Sequence, residues 1–211
     1  MLKRLFRTAF AGMLAMGGFA AFVQASENPL PKASYAAVGG PTSVPYGWVD
    51  FCGREPAECE IGHQAPLDVK LTAKSWKILQ SVNTFANAVI EPVSNLEHWG
   101  TMLDHWDYPL DGKGDCKVYA LWKRKLLIDR GFPRQALLMT IVRDLEGAGH
   151  AILTVRTDRG EFALDNLTDE IRPWDATGYV FVKRQAQDDV NVWLDLGGVK
   201  GERPLAASNA N

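Results

Sequence analysis

The chain has 211 residues, of which 46% are hydrophobic and 23% charged. Those proportions are ordinary for a globular domain and exclude a fibrous or disordered chain. Lysine and arginine number 23 against 25 aspartate and glutamate, so no basic field points to nucleic acid.

The first 25 residues stand apart. Lys3, Arg4 and Arg7 form a positive segment, residues 8–23 carry no charge, and Val23-Gln24-Ala25 offers small residues to a peptidase. This is the pattern of a secretory signal peptide cleaved after Ala25, which predicts a periplasmic protein. The uncharged run is broken by Gly12, Gly17 and Gly18 and is shorter than a membrane span requires. No membrane insertion is expected once it is removed. Cleavage takes away three cations and no acid, so the remainder is more acidic than the whole.

Residues 26–45 are rich in Pro, Gly, Ala and Ser and read as an extended arm without a core of its own. A domain is expected over 46–197. Helical spacing of Leu79, Val82, Ala86 and Val89 predicts a helix within 71–90, with Thr72 as N-cap and Pro92 beyond its end. Residues 95–105 read as a shorter helical or irregular piece, and 108–114 as a Gly- and Pro-containing loop. Asp115 then caps a helix from Cys116 to about Arg130, closed by Gly131 and Pro133. Within it, Lys123-Arg124-Lys125 reads as a solvated face. Runs at 136–142, 151–157, 161–165, 179–183 and 190–194 predict short strands, two of them joined through Asp158-Arg159-Gly160. Residues 198–211 read as a polar tail. The order, helices before sheet, predicts an α+β domain.

The cysteines number three. Cys52 and Cys59 flank Gly53 and Pro56, and an exported protein predicts a local disulfide between them. A zinc site is disfavoured because His63 is the only nearby partner, and His98 and His105 show no ligand spacing either. Cys116 is left unpaired, which in an oxidising compartment points to a reactive thiol.

Its setting supports that reading. At the start of a helix, the macrodipole and unpartnered N–H groups favour a thiolate and can hold an oxyanion. His150 opens a strand, and Asp165 closes the next one. Folding the hairpin at residue 159 puts Asp165 opposite Ile152, within about one residue pair of His150. Cys116 as nucleophile, His150 as base and Asp165 as orienting carboxylate form a thiol-based triad.

These residues resemble the bacterial transglutaminase-like cysteine proteinases. The similarity rests on Gly114-Asp115-Cys116, Lys125-Leu126-Leu127, Gly131-Phe132-Pro133, Gly149-His150-Ala151 and Leu164-Asp165-Asn166. It extends to Trp106-Asp107-Tyr108-Pro109, to Cys52 and Cys59, and to Tyr179 after Trp174. It implies a papain-like, transglutaminase-type fold with the triad above. Trp106 reads in two ways, as an indole donor toward the oxyanion, which such enzymes can use, or as a buried packing residue, the usual place of a large aromatic. The resemblance also implies a periplasmic endopeptidase that releases a large surface adhesin, calcium, and restraint by an inner-membrane receptor. Calcium would sit near Asp115 and Asp111, with Asp107 also available. The acidic pair that often follows the cysteine is here Lys117-Val118, which puts calcium in doubt because that ion needs several oxygen ligands. The chemistry itself needs no cofactor. The same triad also serves a transglutaminase or amidase, and an idle peptide-binding module is the reading from outside enzymology.

Overall fold

The computed structural model describes residues 29–200. The expected leader with its cleavage site, and residues 201–211 of the expected tail, lie outside the described residues.

The centre is an antiparallel sheet of seven strands in the order β1-β9-β8-β4-β5-β6-β7. They are β1 (Pro41–Thr42), β4 (Leu137–Arg143), β5 (Gly149–Thr157), β6 (Gly160–Leu164), β7 (Arg172–Pro173), β8 (Val180–Gln185) and β9 (Trp193–Lys200). A separate parallel pair joins β2 (Glu91–Pro92) to β3 (Lys113–Gly114). The helices are α1 (Tyr46–Arg54), α2 (Ala73–Val89), α3 (Asn95–Trp99) and α4 (Cys116–Ile128). This is the expected α+β class.

The period-2 alternation of strand side chains splits the core in two. Leu137, Met139, Leu153, Val155, Phe162 and Leu164 face one cluster, together with Leu79 and Val82 of α2 and Leu121 and Leu127 of α4. Val142, Ile152 and Ala163 point the other way, into a cluster with Trp174, Tyr179, Phe181 and Leu196. Helix α4 lies on β5 and β4, with α2 against its other side. The N-terminal arm closes the second face. Ala36 joins that cluster, Glu161 N–H donates to Ser34 O, and Ala33 N–H donates to Arg159 O. Strand β1 adds to the sheet edge, pairing Pro41 with Leu194.

Several local expectations meet the chain directly. Thr72 caps α2 in a capping box with Ser75. Asp115 caps α4, its carboxylate accepting from Lys117 N–H. Gly131, at φ 84°, ends that helical segment. Other expectations need correction. Helix α1 was not foreseen: Cys52 lies in its last turn, and Cys59 follows a 3-10 turn at Pro56–Glu58. The two sulfurs are bonded, with their Cα atoms 5.6 Å apart. The final strand is displaced toward the C-terminus, so β9 runs through residues assigned to the tail.

The Lys123-Arg124-Lys125 run is not a solvated face. Lys123 and Arg124 are 0% and 1% exposed, and only Lys125 reaches solvent. The reason is that α4 is sandwiched between α2 and the sheet, so all but a narrow stripe of it is covered. Arg124 is compensated by donating to Leu137 O and to Glu58 Oε2. Lys123 Nζ has no hydrogen-bond partner.

Candidate active site

The first turn of α4 carries Cys116, which is free and half-buried. Gly114 lets the chain approach tightly beforehand, since a Cβ there would fall 2.4 Å from Val118 Cγ1. With Asp115 satisfying Lys117 N–H, helix geometry leaves the N–H groups of Cys116 and Val118 without intrahelical carbonyls.

The neighbouring strands bring the other two groups. The β5–β6 register pairs Leu153 with Leu164, so Asp165 follows in line with Ile152. His150 Nε2 lies 2.8 Å from Asp165 Oδ1, and both residues are buried. Cys116 is near enough to help raise the pKa of the ring. With Nε2 given to the carboxylate, Nδ1 is the nitrogen left for the thiol. The three candidate residues are thus in one contiguous cluster.

The carboxylate is itself fixed. Asp165 Oδ2 accepts from Tyr179 OH at 2.6 Å, and Oδ1 also accepts from Leu167 N–H. Asn87 of α2 donates to Asp165 O, tying the backbone there. Burial alone would lower the His150 pKa, but hydrogen bonds to Asp165 and Cys116 and their negative charge push it up to about 10. Burial alone would raise Asp165, yet the imidazole and the Tyr179 hydroxyl hold it below the usual carboxylate range. Each partner thus favours the charged form of the other.

Of its two readings, Trp106 takes the packing one and not the oxyanion one. It is fully buried, and its indole N–H donates to Asp104 Oδ2 at 2.8 Å, so that hydrogen is already spent. Its ring packs edge-on with Trp48 and Trp193. Gly47 is required beside it, because a Cβ would lie 2.1 Å from Trp106 Cδ1.

The carboxylates proposed for calcium are not gathered either. Asp111 contacts His98 Nε2 at 2.8 Å, while Asp107 pairs with Arg54 and His105. Asp115 holds Lys117 Nζ at 2.5 Å, and the same ammonium is 2.9 Å from Asp104 Oδ1. Among the described residues no group of three or more His, Cys, Asp or Glu could hold a metal ion. The residues present do not fit a calcium site, which needs six to eight oxygens around the ion.

Sequence reasoning did not give Tyr179, Asn87, Asp104 and Lys117 these roles. Tyr179 carried a signal, its place in the resemblance. Lys117 carried one too, as the residue in place of an acidic one beside Asp115, and Asp104 lies only two residues from Trp106; Asn87 alone depends on a contact across many residues.

A thiol at a helix start, beside a buried imidazole and carboxylate from an antiparallel sheet, defines the class: a cysteine peptidase of the transglutaminase-like type. The chain belongs to the bacterial transglutaminase-like cysteine proteinase family, whose model matches residues 38–200. No curated protein sequence matches it significantly. Among solved structures, calcium-bound Legionella pneumophila LapG is 26% identical, with a TM-score of 0.48, over 63% of this chain and 75% of that one. Another Legionella pneumophila LapG structure is 28% identical, with a TM-score of 0.48, over 56% of this chain and 68% of that one. Among the described residues no helix is long and apolar enough to cross a membrane.

Proposed function

We propose that this cysteine peptidase is a periplasmic endopeptidase in which Cys116, His150 and Asp165 act as a triad. The thiolate of Cys116 attacks a peptide carbonyl, and the His150 imidazolium gives its proton to the departing amine. Water then attacks the thioester, His150 takes a proton from that water, and the thiol is released. Asp165 keeps the ring oriented and stabilises its charged form. In place of Trp106, the Cys116 and Val118 N–H groups are the donors offered to the oxyanion. One observation carries the reading: the buried 2.8 Å contact between His150 and Asp165, in a chain whose free cysteine, Cys116, acts on the same ring.

Family membership supports a protein substrate, and the resemblance supports a large surface adhesin, cut outside the inner membrane under the control of a membrane receptor. The leader that reads as cleaved after Ala25 agrees with that compartment.

The test pairs a thiol-directed probe with an adhesin-type substrate and a labelled amine. Cys116→Ala should abolish cleavage and leave the fold intact. His150→Ala should lose both cleavage and selective labelling of Cys116 at neutral pH. Asp165→Asn should cost less than His150→Ala in kcat, because it removes orientation and leaves the base. Undiminished cleavage by Cys116→Ala ends the proposal. Amine incorporation would reassign the reaction to acyl transfer, and a thiol that labels no faster than a free cysteine would favour an idle binding module.

A further inference from the structure

The residue directly after the nucleophile is a lysine whose side chain is only 13% exposed. Its ammonium joins two segments of different origin. Asp115 is the N-cap of α4, and its Oδ1 already accepts Lys117 N–H while Oδ2 holds Lys117 Nζ. Asp104 comes from the irregular segment after α3 and splits its oxygens: Oδ1 meets the same ammonium, and Oδ2 accepts from Trp106. One positive charge therefore ties the aromatic core at Trp106 to the helix start that presents Cys116. The neighbouring carboxylates Asp107 and Asp111 are engaged elsewhere, by Arg54, His105 and His98.

We propose that Lys117 is a tethered cation: its ammonium does the bridging that a divalent metal could do between Asp104 and Asp115, so the peptidase is independent of calcium. An ammonium offers no lone pair, repels a second cation and occupies the space between the two carboxylates. It leaves too few free oxygens for calcium to compete. Lys117 is a positioning residue: it acts by holding the helix start that presents Cys116 against the segment that carries Asp104. The inference uses the peptidase reading only through Cys116. Its bridging part stands without it.

The experiment measures Tm and the rate of Cys116 alkylation by iodoacetamide, with calcium and with a chelator, on purified protein. Wild type should show the same Tm and rate in both. Lys117→Met keeps the stem and removes the charge. It should lower Tm by about 3 °C or more, slow alkylation several-fold, and gain a Tm increase on adding calcium. Lys117→Arg should recover most of what Lys117→Met loses. A wild-type Tm or alkylation rate that rises with calcium overturns the proposal. So does a Lys117→Met protein matching wild type, or one that is weakened but blind to calcium, since that is an ordinary ion pair. If Lys117→Met does not fold, calorimetric titration of wild type with calcium decides alone: measurable binding refutes, and none supports. Loss of peptide cleavage with Tm behaving as stated would sink only the peptidase reading.

Discussion

Protons govern what His150 can do. Its ring stays charged up to about 10 because Asp165 and Cys116 outweigh burial, and the charged ring is the acid that the leaving amine needs. The pH–kcat/KM profile should therefore fall on its alkaline side near that value. A raised histidine pKa also means that this group's contribution to stability is complete below its unfolded value near 6.5 and fades as pH climbs through about 10. A histidine-resolved NMR titration checks the assignment, and the midpoint should move down in Asp165→Asn. An alkaline limb unchanged in that variant would count against it. Tyr179 acts one contact further out. Tyr179→Phe removes the hydroxyl from a buried carboxylate oxygen, and about 10-fold loss in kcat/KM is expected with KM little changed. Steady-state kinetics separates that from a general loss of fold, which circular dichroism would register.

At the scale of elements, α4 carries the most. It presents Cys116 at its start and packs its middle between α2 and the sheet, which forces Lys123 into a place with no hydrogen-bond partner, its ammonium 5.9 Å from the centre of the Tyr119 ring. Burial lowers the Lys123 pKa to about 7, only partly countered by the charges of Asp165 and Asp169. A depressed lysine penalises the fold most below that value, where both states are protonated, and the penalty lifts as pH rises toward the unfolded value. Lys123→Met should then stabilise the protein by on the order of 2 kcal/mol near pH 6 and by little near pH 10. Chemical denaturation at the two pH values reads this out. Much of this architecture was legible in the sequence. Thr72, Asp115, Gly131 and the Asp158-Arg159-Gly160 turn are local signals, and they place α2, α4 and the hairpin that aligns Asp165 with Ile152. Lys123 and Arg124 misled because charge patterning assumes one wet face, whereas α4 is covered on nearly all sides. Helix α1 escaped because Gly47 and Gly53 hide its periodicity, and Gly47 is there to admit Trp106. The Trp106 N–H is spent on Asp104, only two residues before it, a local bond that the reading of Trp106 as an oxyanion donor overlooked.

Across the whole molecule, the arm and the sheet hold one another. Glu161, fully buried in β6, is compensated by Arg184 at 2.6 Å, Arg156 at 3.0 Å and the N–H of Ala36 in the arm. The closest approach is at Gly160, whose φ of 110° suits only glycine and where a Cβ would lie 2.2 Å from Ala33 O. Gly160→Ala should therefore unseat the arm as well as strain the hairpin. We expect a loss of about 2 kcal/mol, seen as a Tm drop of roughly 4–8 °C, with faster hydrogen exchange at residues 33–36. Exchange unchanged in that stretch would mean that the arm is held by other contacts.

The pairing of Cys52 with Cys59 leaves Cys116 as the chain's one remaining sulfhydryl. A peroxide that converts it to the sulfenic acid finds no second thiol in the same molecule to condense with. Recovery must come from an outside reductant, and a second peroxide equivalent that arrives first oxidises the sulfur to the sulfinic state, from which such reductants do not return it. The working life of this molecule under oxidative stress is thus set by the thiol chemistry of its surroundings.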